Sequence, residues 1–169
     1  MCILERGCFP SVTGNYSNGY RVFQNCKGLI KANFPKLTSL SSAQTYWFDG
    51  CTNLKDISVP LLGNLSLRTF ASCTSLEKLI LPSVSAINGT YVFEKCSALN
   101  TIVLKSNTVA TLTNVNAFAG TSIEAGTGYI YVPKALIEDY KVATNWINFA
   151  EQFRAIEDYP EICGGAEND

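Results

Sequence analysis

The chain has 169 residues, with 13 basic and 14 acidic side chains and a hydrophobic fraction of 47%. This near-neutral composition excludes a nucleic-acid or other polyanion binder, disorder over most of the length, and any membrane insertion, since no run approaches ~18 apolar residues. The absence of histidine excludes Ser-His and Cys-His nucleophile pairs and every histidine-ligated metal site.

We expect no secretory signal in the N-terminal segment. Glu5 and Arg6 interrupt the run MCILERGCF before an apolar core can form. Four residues of this segment instead match the second half of the repeat described below: Leu4, Gly7, Phe9 and Pro10. We therefore expect the chain to begin inside a repeat, with no element covering its strand. Such an edge exposes unpaired N–H and C=O groups, and we expect weak homodimer formation through this uncapped coil.

One repeat extends over most of the chain, with the pattern Phe-x-x-Cys-x-x-Leu-x-x-apolar-x-apolar-Pro. Its starting phenylalanines are spaced 25, 22, 23 and 25 residues apart: Phe23, Phe48, Phe70, Phe93 and Phe118. A unit of this length is typical of a solenoid coil, with one short strand and a returning arc. Because a single coil cannot bury its own core, we predict a repeat solenoid stabilised by stacking.

Period-two alternation in each strand predicts the inward side chains. The first inward row contains Gly7, Ala32, Ile57, Leu79, Ile102 and Ile130. The second contains Phe9, Phe34, Val59, Leu81, Leu104 and Val132. The arcs are predicted to bury Leu37, Leu40, Leu62, Leu65, Val84, Ile87, Val109 and Leu112.

The outward strand rows provide the candidate partner-binding residues. In one row, Lys31, Asp56 and Lys78 would stack as cation, anion and cation. In the other row, Ile80, Val103 and Tyr131 are apolar at outward positions. Either the C-terminal cap folds over these three residues, or they form an exposed patch for a partner.

Four cysteines occupy one position of the repeat and predict a ladder between neighbouring coils: Cys26, Cys51, Cys73 and Cys96. We expect reduced, buried thiols, because a row of disulfides would strain a regular stack. Zinc needs four ligands that converge on one point, whereas a ladder spreads them along a line. We therefore expect no metal and no cofactor, and Cys2, Cys8 and Cys163 lie off the ladder.

No residue pattern indicates catalysis. Glu138 and Asp139 are adjacent, and adjacent helical residues do not face one another as paired carboxylates must. The Asn-x-Ser/Thr triplets at Asn15, Asn64 and Asn88 are expected to be ordinary turn residues of the arcs. We expect that the protein is not an enzyme.

The segment after the last strand predicts a helical cap over residues 134–157. Pro133 suits the first turn of a helix, and two apolar stripes follow at helical spacing: Leu136, Ile137, Tyr140 and Ala143, then Trp146, Phe149, Ala150 and Phe153. We expect Trp146 to pack against the open end of the stack. Arg154 is the last basic residue, and residues 158–169 are predicted to form an acidic flexible tail.

The Phe-x-x-Cys-x-x-Leu pattern resembles the BspA-type leucine-rich repeats of bacteria over residues 1–133. The segment from Ile130 resembles the C-terminal cap of such arrays. The resemblance implies a right-handed coil stack with short parallel strands, an extracellular or cell-surface location, and no catalytic residue. Lys105 in place of proline and Thr121 in place of cysteine indicate that the repeat fades toward the cap.

Two functions follow from this interpretation and remain open. The chain is either a non-enzymatic binding module for an unknown protein or glycan, including a role in adhesion, or a structural spacer within a larger surface protein. The predicted organisation is a repeat array over residues 1–133, a cap over 134–157 and a tail over 158–169.

Overall fold

The computed structural model describes residues 21–40 and 46–163. Over these residues the chain forms a solenoid of short parallel strands connected by tight turns, followed by a short cap. The strands are β1 Lys31–Asn33, β2 Asp56–Ser58, β3 Asn64–Leu65, β4 Lys78–Leu81, β5 Ala86–Ile87, β6 Thr101–Leu104, β7 Thr111–Leu112, β8 Tyr129–Val132 and β9 Phe153–Ala155. The helix is α1 Ile137–Val142, and 3-10 helices cover Val115–Phe118, Lys134–Leu136, Trp146–Gln152, Ile156–Asp158 and Pro160–Ile162.

The repeat strands form one face of the solenoid, which we call the strand face. Its four-stranded part has the order β4-β6-β8-β9, and its two-stranded part pairs β1 with β2. Lys31 lies opposite Asp56, and Lys78 lies opposite Thr101, which in turn lies opposite Tyr129. This register places equivalent repeat positions side by side, as the spacing predicts. The strand face is divided between β2 and β4, which belong to different sheets.

A second, smaller sheet lies in the arcs. Its strands β3, β5 and β7 pair in parallel, with Leu65 opposite Ile87 and Ile87 opposite Leu112. The repeat pattern predicts buried residues in the arcs and one strand in each coil, so the arc strands are additional to the prediction. Burial is as expected for seven of the eight arc residues, whereas Val109 is only partly buried. The inward residues of the strand face are buried throughout the described part of the chain, and Gly7 and Phe9 lie outside it.

A column of phenylalanine rings extends along the core. Four of the five repeat phenylalanines, from Phe23 to Phe93, stack nearly parallel with centroid distances of 5.3, 5.4 and 5.9 Å, and Phe118 follows at 5.3 Å and 20°. The Phe149 ring then meets the Phe118 ring edge-on, with a centroid distance of 5.1 Å. The Trp146 ring lies 5.9 Å from Phe118, with an interplanar angle of 46°. The cap therefore ends the column with rings that turn away from parallel stacking, in geometries that aromatic pairs favour.

The cysteine ladder lies beside this column. The thiols of Cys51, Cys73 and Cys96 donate to the carbonyl oxygen of the phenylalanine one coil before, over 3.0, 3.2 and 2.9 Å. All four ladder cysteines are free thiols and at most 1% exposed. Thr121 replaces the next cysteine, and its hydroxyl donates to Phe118 of its own coil over 2.7 Å. The ladder position therefore selects a small donor side chain that can bind a turn carbonyl.

The cap is less helical than the apolar stripes predict. Helix α1 has six residues and buries Tyr140, and the next segment is a 3-10 helix that buries Trp146 and Phe149. Phe153, which the sequence analysis places in a helical stripe, begins strand β9, where it lies opposite Ile130. The helical interpretation of residues 153–155 is therefore wrong, because parallel pairing with β8 overrides the local spacing.

The predicted acidic tail begins with an ordered segment. Residues 156–163, which we call the strap, contain two 3-10 helices. The Lys134 ammonium forms an ion pair of 2.9 Å with Asp158 of the strap, and the Lys134 backbone N–H donates to Glu157. A flexible tail from residue 158 is therefore incorrect as far as Cys163, and residues 164–169 lie outside the described part of the chain.

Candidate functional site

The strand face contains an open groove at the division between β2 and β4. The groove has a volume of about 350 Å³. Side chains that point outward from β1, β2 and β4 line it, together with two of the prolines that follow the strands: Lys31, Asn33, Asp56, Ser58, Lys78, Ile80, Pro60 and Pro82. Four of the six residues predicted to contact a partner are therefore brought together at one site.

The predicted cation–anion–cation series is only half formed. Lys31 pairs with Asp56 over 2.8 Å, and both side chains are more than half exposed. Such an exposed pair contributes little to stability. The Lys78 ammonium instead lies 3.4 Å from the carbonyl oxygen of Ile162 in the strap. Two ammonium groups and one carboxylate therefore line the groove, which leaves it with a formal charge of +1.

Two of the three residues of the predicted apolar stripe are buried, whereas Ile80 is half-buried and lines the groove. Val103 is fully buried and Tyr131 is 7% exposed, although both stand on the outward side of their strands. The ring of Tyr159 in the strap meets Tyr131 edge-on at 5.4 Å. Of the two alternatives that the sequence leaves open, coverage by the C-terminal segment is the one observed. An open partner-binding patch at Val103 and Tyr131 is therefore absent.

Tyrosine and arginine side chains surround the covered stripe. The guanidinium of Arg154, on β9, lies 4.3 Å from the centre of the Tyr129 ring, a distance typical of a cation–π contact. Burial, together with the neighbouring Tyr159, raises the pKa of Tyr131. A neutral phenol at neutral pH is the form that packs beneath the strap.

A polar network connects four successive repeat turns, at positions before the repeat cysteines. Arg68 forms ion pairs with Asp49, over 3.3 Å, and with Glu94, and Gln24 donates to the other oxygen of Asp49 over 2.8 Å. Burial opposes the Arg68 charge, but the two carboxylates outweigh it and raise the pKa of Arg68. Because Arg68 pairs with a carboxylate of an earlier coil and with one of a later coil, the network connects coils.

The cysteine ladder has no features of a reactive or metal site. The neighbouring Cys96 thiol and burial raise the pKa of the Cys73 thiol well above its ordinary value, whereas reactive cysteines have a depressed pKa. Among residues 21–40 and 46–163, no cluster of cysteine and carboxylate side chains could hold a metal ion. No helix in the described part of the chain has the length and apolarity required to cross a bilayer.

Sequence reasoning missed the strap and the Arg68 network. Arg68 stands two residues before Phe70, where the neighbouring repeats carry Arg21, Tyr46 and Tyr91. This alternation of arginine and tyrosine is a signal that alignment of the repeats would have revealed. The expected self-association through Leu4 and Phe9 involves residues outside the described part of the chain, and it stays a prediction.

Comparison with known proteins supports this architecture. The family model of the BspA type leucine rich repeat region matches residues 17–137 in six copies. No curated protein matches the chain. The solved leucine-rich repeat protein of T. pallidum is 27% identical over 68% of this chain and 50% of its own, with a TM-score of 0.51. A solved leucine-rich repeat protein of Bacteroides ovatus is 24% identical over 80% of this chain and 32% of its own, with a TM-score of 0.58.

The chain thus spans half or less of the length of these two solved proteins. Both have the leucine-rich repeat fold, and the second likeness concerns the fold alone. The family match begins later than the predicted array and extends slightly into the cap. Because six copies of the family's repeat occupy more than half of the sequence, the chain belongs to the BspA-type leucine-rich repeat family.

Proposed function

We propose that this protein is a non-enzymatic binding module that takes a protein or glycan partner on its strand face. The observation that supports the proposal is the groove between β2 and β4, lined by Lys31, Asn33, Asp56, Ser58 and Lys78. Charged and polar side chains there stand on rigid strands. A site held by strands keeps its geometry better than a site on loops, which reduces the conformational entropy lost on binding.

The composition of the groove suits recognition rather than catalysis. Asp56 is engaged by Lys31 at 2.8 Å, and no second carboxylate lines the groove. General acid–base catalysis on a glycosidic bond needs a pair of carboxyl groups across the substrate. Ile80 and the two prolines add apolar contact area. The mixture of apolar floor and charged rim is typical of a small interaction surface.

Location at the cell surface or outside the cell belongs to the same proposal. Its support is the family membership, since leucine-rich repeats of this type are frequently surface-associated. Adhesion to a host or to another cell would be the corresponding role. The relatives of known structure are longer than this chain. In a longer protein of that kind, this chain would be one binding module among others.

Binding assays on arrays of peptides and glycans test the proposal. The wild-type chain is compared with Ser58→Trp, which places an indole in the groove from an exposed strand position. We expect Ser58→Trp to weaken binding of a captured probe by at least about tenfold, the effect of blocking a central contact. Lys27→Glu changes an exposed charge in the turn after Cys26, outside the groove, and should leave binding unchanged.

Two results would contradict the proposal. The first is the absence of binding to any protein, peptide or glycan probe. The second is a captured probe whose affinity Ser58→Trp does not change. Either result would favour the structural spacer, in which the array sets a distance and its strand face has no ligand.

A further inference from the structure

We propose that the strap, residues 156–163, is a displaceable internal ligand of the strand face, and that the external partner is an extended acidic polypeptide carrying a tyrosine. This inference rests on the proposed function, because it names the partner class for the same face. The strap enters this face from β9, contacts Tyr131 on β8 and reaches Lys78 on β4. It therefore crosses the outward row to the rim of the open groove.

The contacts of the strap define the chemistry that this face accepts. The Tyr159 ring meets Tyr131 edge-on at 5.4 Å, and the Ile162 carbonyl oxygen lies 3.4 Å from the Lys78 ammonium. Val103 lies between Ile80 and Tyr131 in the register of the strands and is fully buried at an outward position. An aromatic ring over a tyrosine and a backbone carbonyl at an ammonium are features that any extended polypeptide with a tyrosine can supply.

Charge complementarity favours an acidic partner. The strap carries three carboxylates and no basic residue, namely Glu157, Asp158 and Glu161. The surfaces that receive it supply ammonium groups: Lys134 pairs with Asp158 over 2.9 Å, and Lys78 lies at the strap's far end. Lys31, which pairs with Asp56, lies on the far side of the groove, and together with Lys78 it leaves the groove with a formal charge of +1. A partner of the same composition would meet the same complementary charges.

The strap is held weakly enough to be displaced. Glu157, Asp158, Pro160 and Glu161 are exposed, and Tyr159 remains 37% exposed in its contact with Tyr131. The Lys134–Asp158 pair is exposed on both sides, and such pairs contribute little. Segments with few buried apolar contacts and exposed hydrogen bonds open at low free-energy cost. Displacement would uncover Val103 and Tyr131 and would extend the groove into an apolar stripe.

A competition experiment with the full chain tests this inference. The probe is a fluorescein-labelled peptide with the strap sequence IEDYPEI, residues 156–162, and the measurement is fluorescence anisotropy. The peptide competes with the chain's own strap, so Tyr159→Ser in the protein should tighten its binding by roughly twofold to tenfold, as loss of one aromatic contact implies. When Lys78→Glu is added to the Tyr159→Ser protein, the affinity for the peptide should fall by about threefold or more. Adding Lys27→Glu should leave that affinity unchanged.

Two further peptides determine which chemistry is recognised. The peptide IEDSPEI removes the ring, and IKKYPKI reverses the charges; both should bind more weakly than IEDYPEI to the Tyr159→Ser protein. Equal binding of all three peptides, or no gain from Tyr159→Ser, overturns the inference. Tight binding of a glycan probe that Ser58→Trp abolishes, with no binding of IEDYPEI to any variant, overturns it as well but leaves the proposed function intact.

Discussion

Trp146 donates its indole N–H to the carbonyl oxygen of Ala110 at 2.6 Å. The preceding coils satisfy the equivalent carbonyls differently: Gly63 accepts from the backbone N–H of Ser85, and Ser85 accepts from the backbone N–H of Thr111. The indole therefore occupies the place of a backbone donor in the next coil. The Trp146 side chain thus gives the Ala110 carbonyl, at the open edge of the arc sheet, a hydrogen-bond donor.

Two neighbouring side chains complete this imitation of another coil. The Asn145 side-chain amide donates to the carbonyl oxygen of Leu112 over 2.8 Å. One coil earlier, the equivalent carbonyl oxygen of Ile87 accepts from the backbone N–H of Thr113. The hydroxyl of Tyr140 accepts from the N–H of Ala110 over 2.9 Å. The cap therefore stabilises the open end through hydrogen bonds as well as through apolar cover, because buried backbone groups must be paired.

Replacing Trp146 with phenylalanine should separate the hydrogen bond from the packing. Trp146→Phe keeps an aromatic ring against Phe118 but leaves the Ala110 carbonyl without its donor, and we expect a loss of about 1–3 kcal/mol in the free energy of unfolding. Trp146→Ala should cost more, about 3–5 kcal/mol, because a cavity is also created. Urea unfolding of both variants measures the difference. Equal stability of Trp146→Phe and wild type would show that the indole N–H contributes no net stability.

The ladder cysteines should resist thiol reagents in the native protein. Cys73 is fully buried, and its pKa is raised by the neighbouring Cys96 thiol and by burial, so little thiolate is available at neutral pH. Cys163 is half-buried on the strap and should be alkylated first among the cysteines of the described residues. Peptide mass spectrometry after brief iodoacetamide treatment identifies the labelled sites. Native alkylation of Cys73 at the rate of Cys163, or a disulfide between Cys51 and Cys73, would refute this prediction.

The repeat positions could be predicted because local periodicity determines them. The inward residues of each strand recur at fixed offsets from a phenylalanine, and stacking places them side by side in the register observed, such as Ala32 opposite Ile57. Sequence spacing alone is enough for this part of the fold, since each coil contacts mainly its neighbours.

The strap and the division of the strand face depend on contacts that spacing does not encode. Lys78 and Ile162 are 84 positions apart in sequence, so no local pattern connects them. Phe153 fits a helical apolar stripe and a buried strand equally well, and only its pairing with Ile130 decides between them. The outward-facing residues of the candidate site could thus be predicted from the sequence. Their coverage by the C-terminal segment could not be predicted.

The turn residues with left-handed backbone conformation allow two opposite substitutions to be compared, one that introduces glycine and one that removes it. Asn25, Gly50, Ser72, Lys95 and Gly120 all stand two residues after the repeat phenylalanine, with φ between 57° and 76°. Lys95 is exposed with φ 60°, so Lys95→Gly should relieve backbone strain and stabilise the protein by about 0.5 kcal/mol after the entropic cost of glycine.

Gly50→Ala should have the opposite effect and cost about 1–2 kcal/mol. At φ 76° any side chain is strained, and a Cβ atom there would lie 2.2 Å from Oδ1 of Asn25. Asn25→Ala has its own cost because Asn25 also has a left-handed backbone with φ 58°, so the comparison is a double-mutant cycle. Gly50→Ala should cost less in the Asn25→Ala protein than in the wild type, by the part of the loss that comes from the steric clash. Thermal unfolding of the four proteins measures both contributions. Destabilisation by Lys95→Gly together with a neutral Gly50→Ala would refute the assignment of these turns.

The stability of the cap should decrease at alkaline pH. Burial raises the pKa of Tyr140 above its ordinary value of 10.0, although its hydrogen bond with Ala110 acts in the opposite direction. Below pH ~10 the phenol is neutral in both the folded and the unfolded chain, so its contribution is fully present. As pH rises from there, the unfolded chain releases the proton more readily than the folded one, and the free energy of unfolding falls. Tyr131, whose pKa is also raised, adds to this loss.

Tyr140→Phe isolates the contribution of one phenol. The variant should be less stable by about 1–2 kcal/mol at pH 7, because the buried N–H of Ala110 loses its acceptor. It should also lose less additional stability between pH 9 and pH 11, since one of the two raised groups is gone. Urea unfolding at several pH values measures both effects, and Tyr46→Phe, at a half-buried tyrosine outside the cap, is the control. An alkaline slope identical to that of the wild type would show that Tyr140 does not resist ionisation in the folded protein.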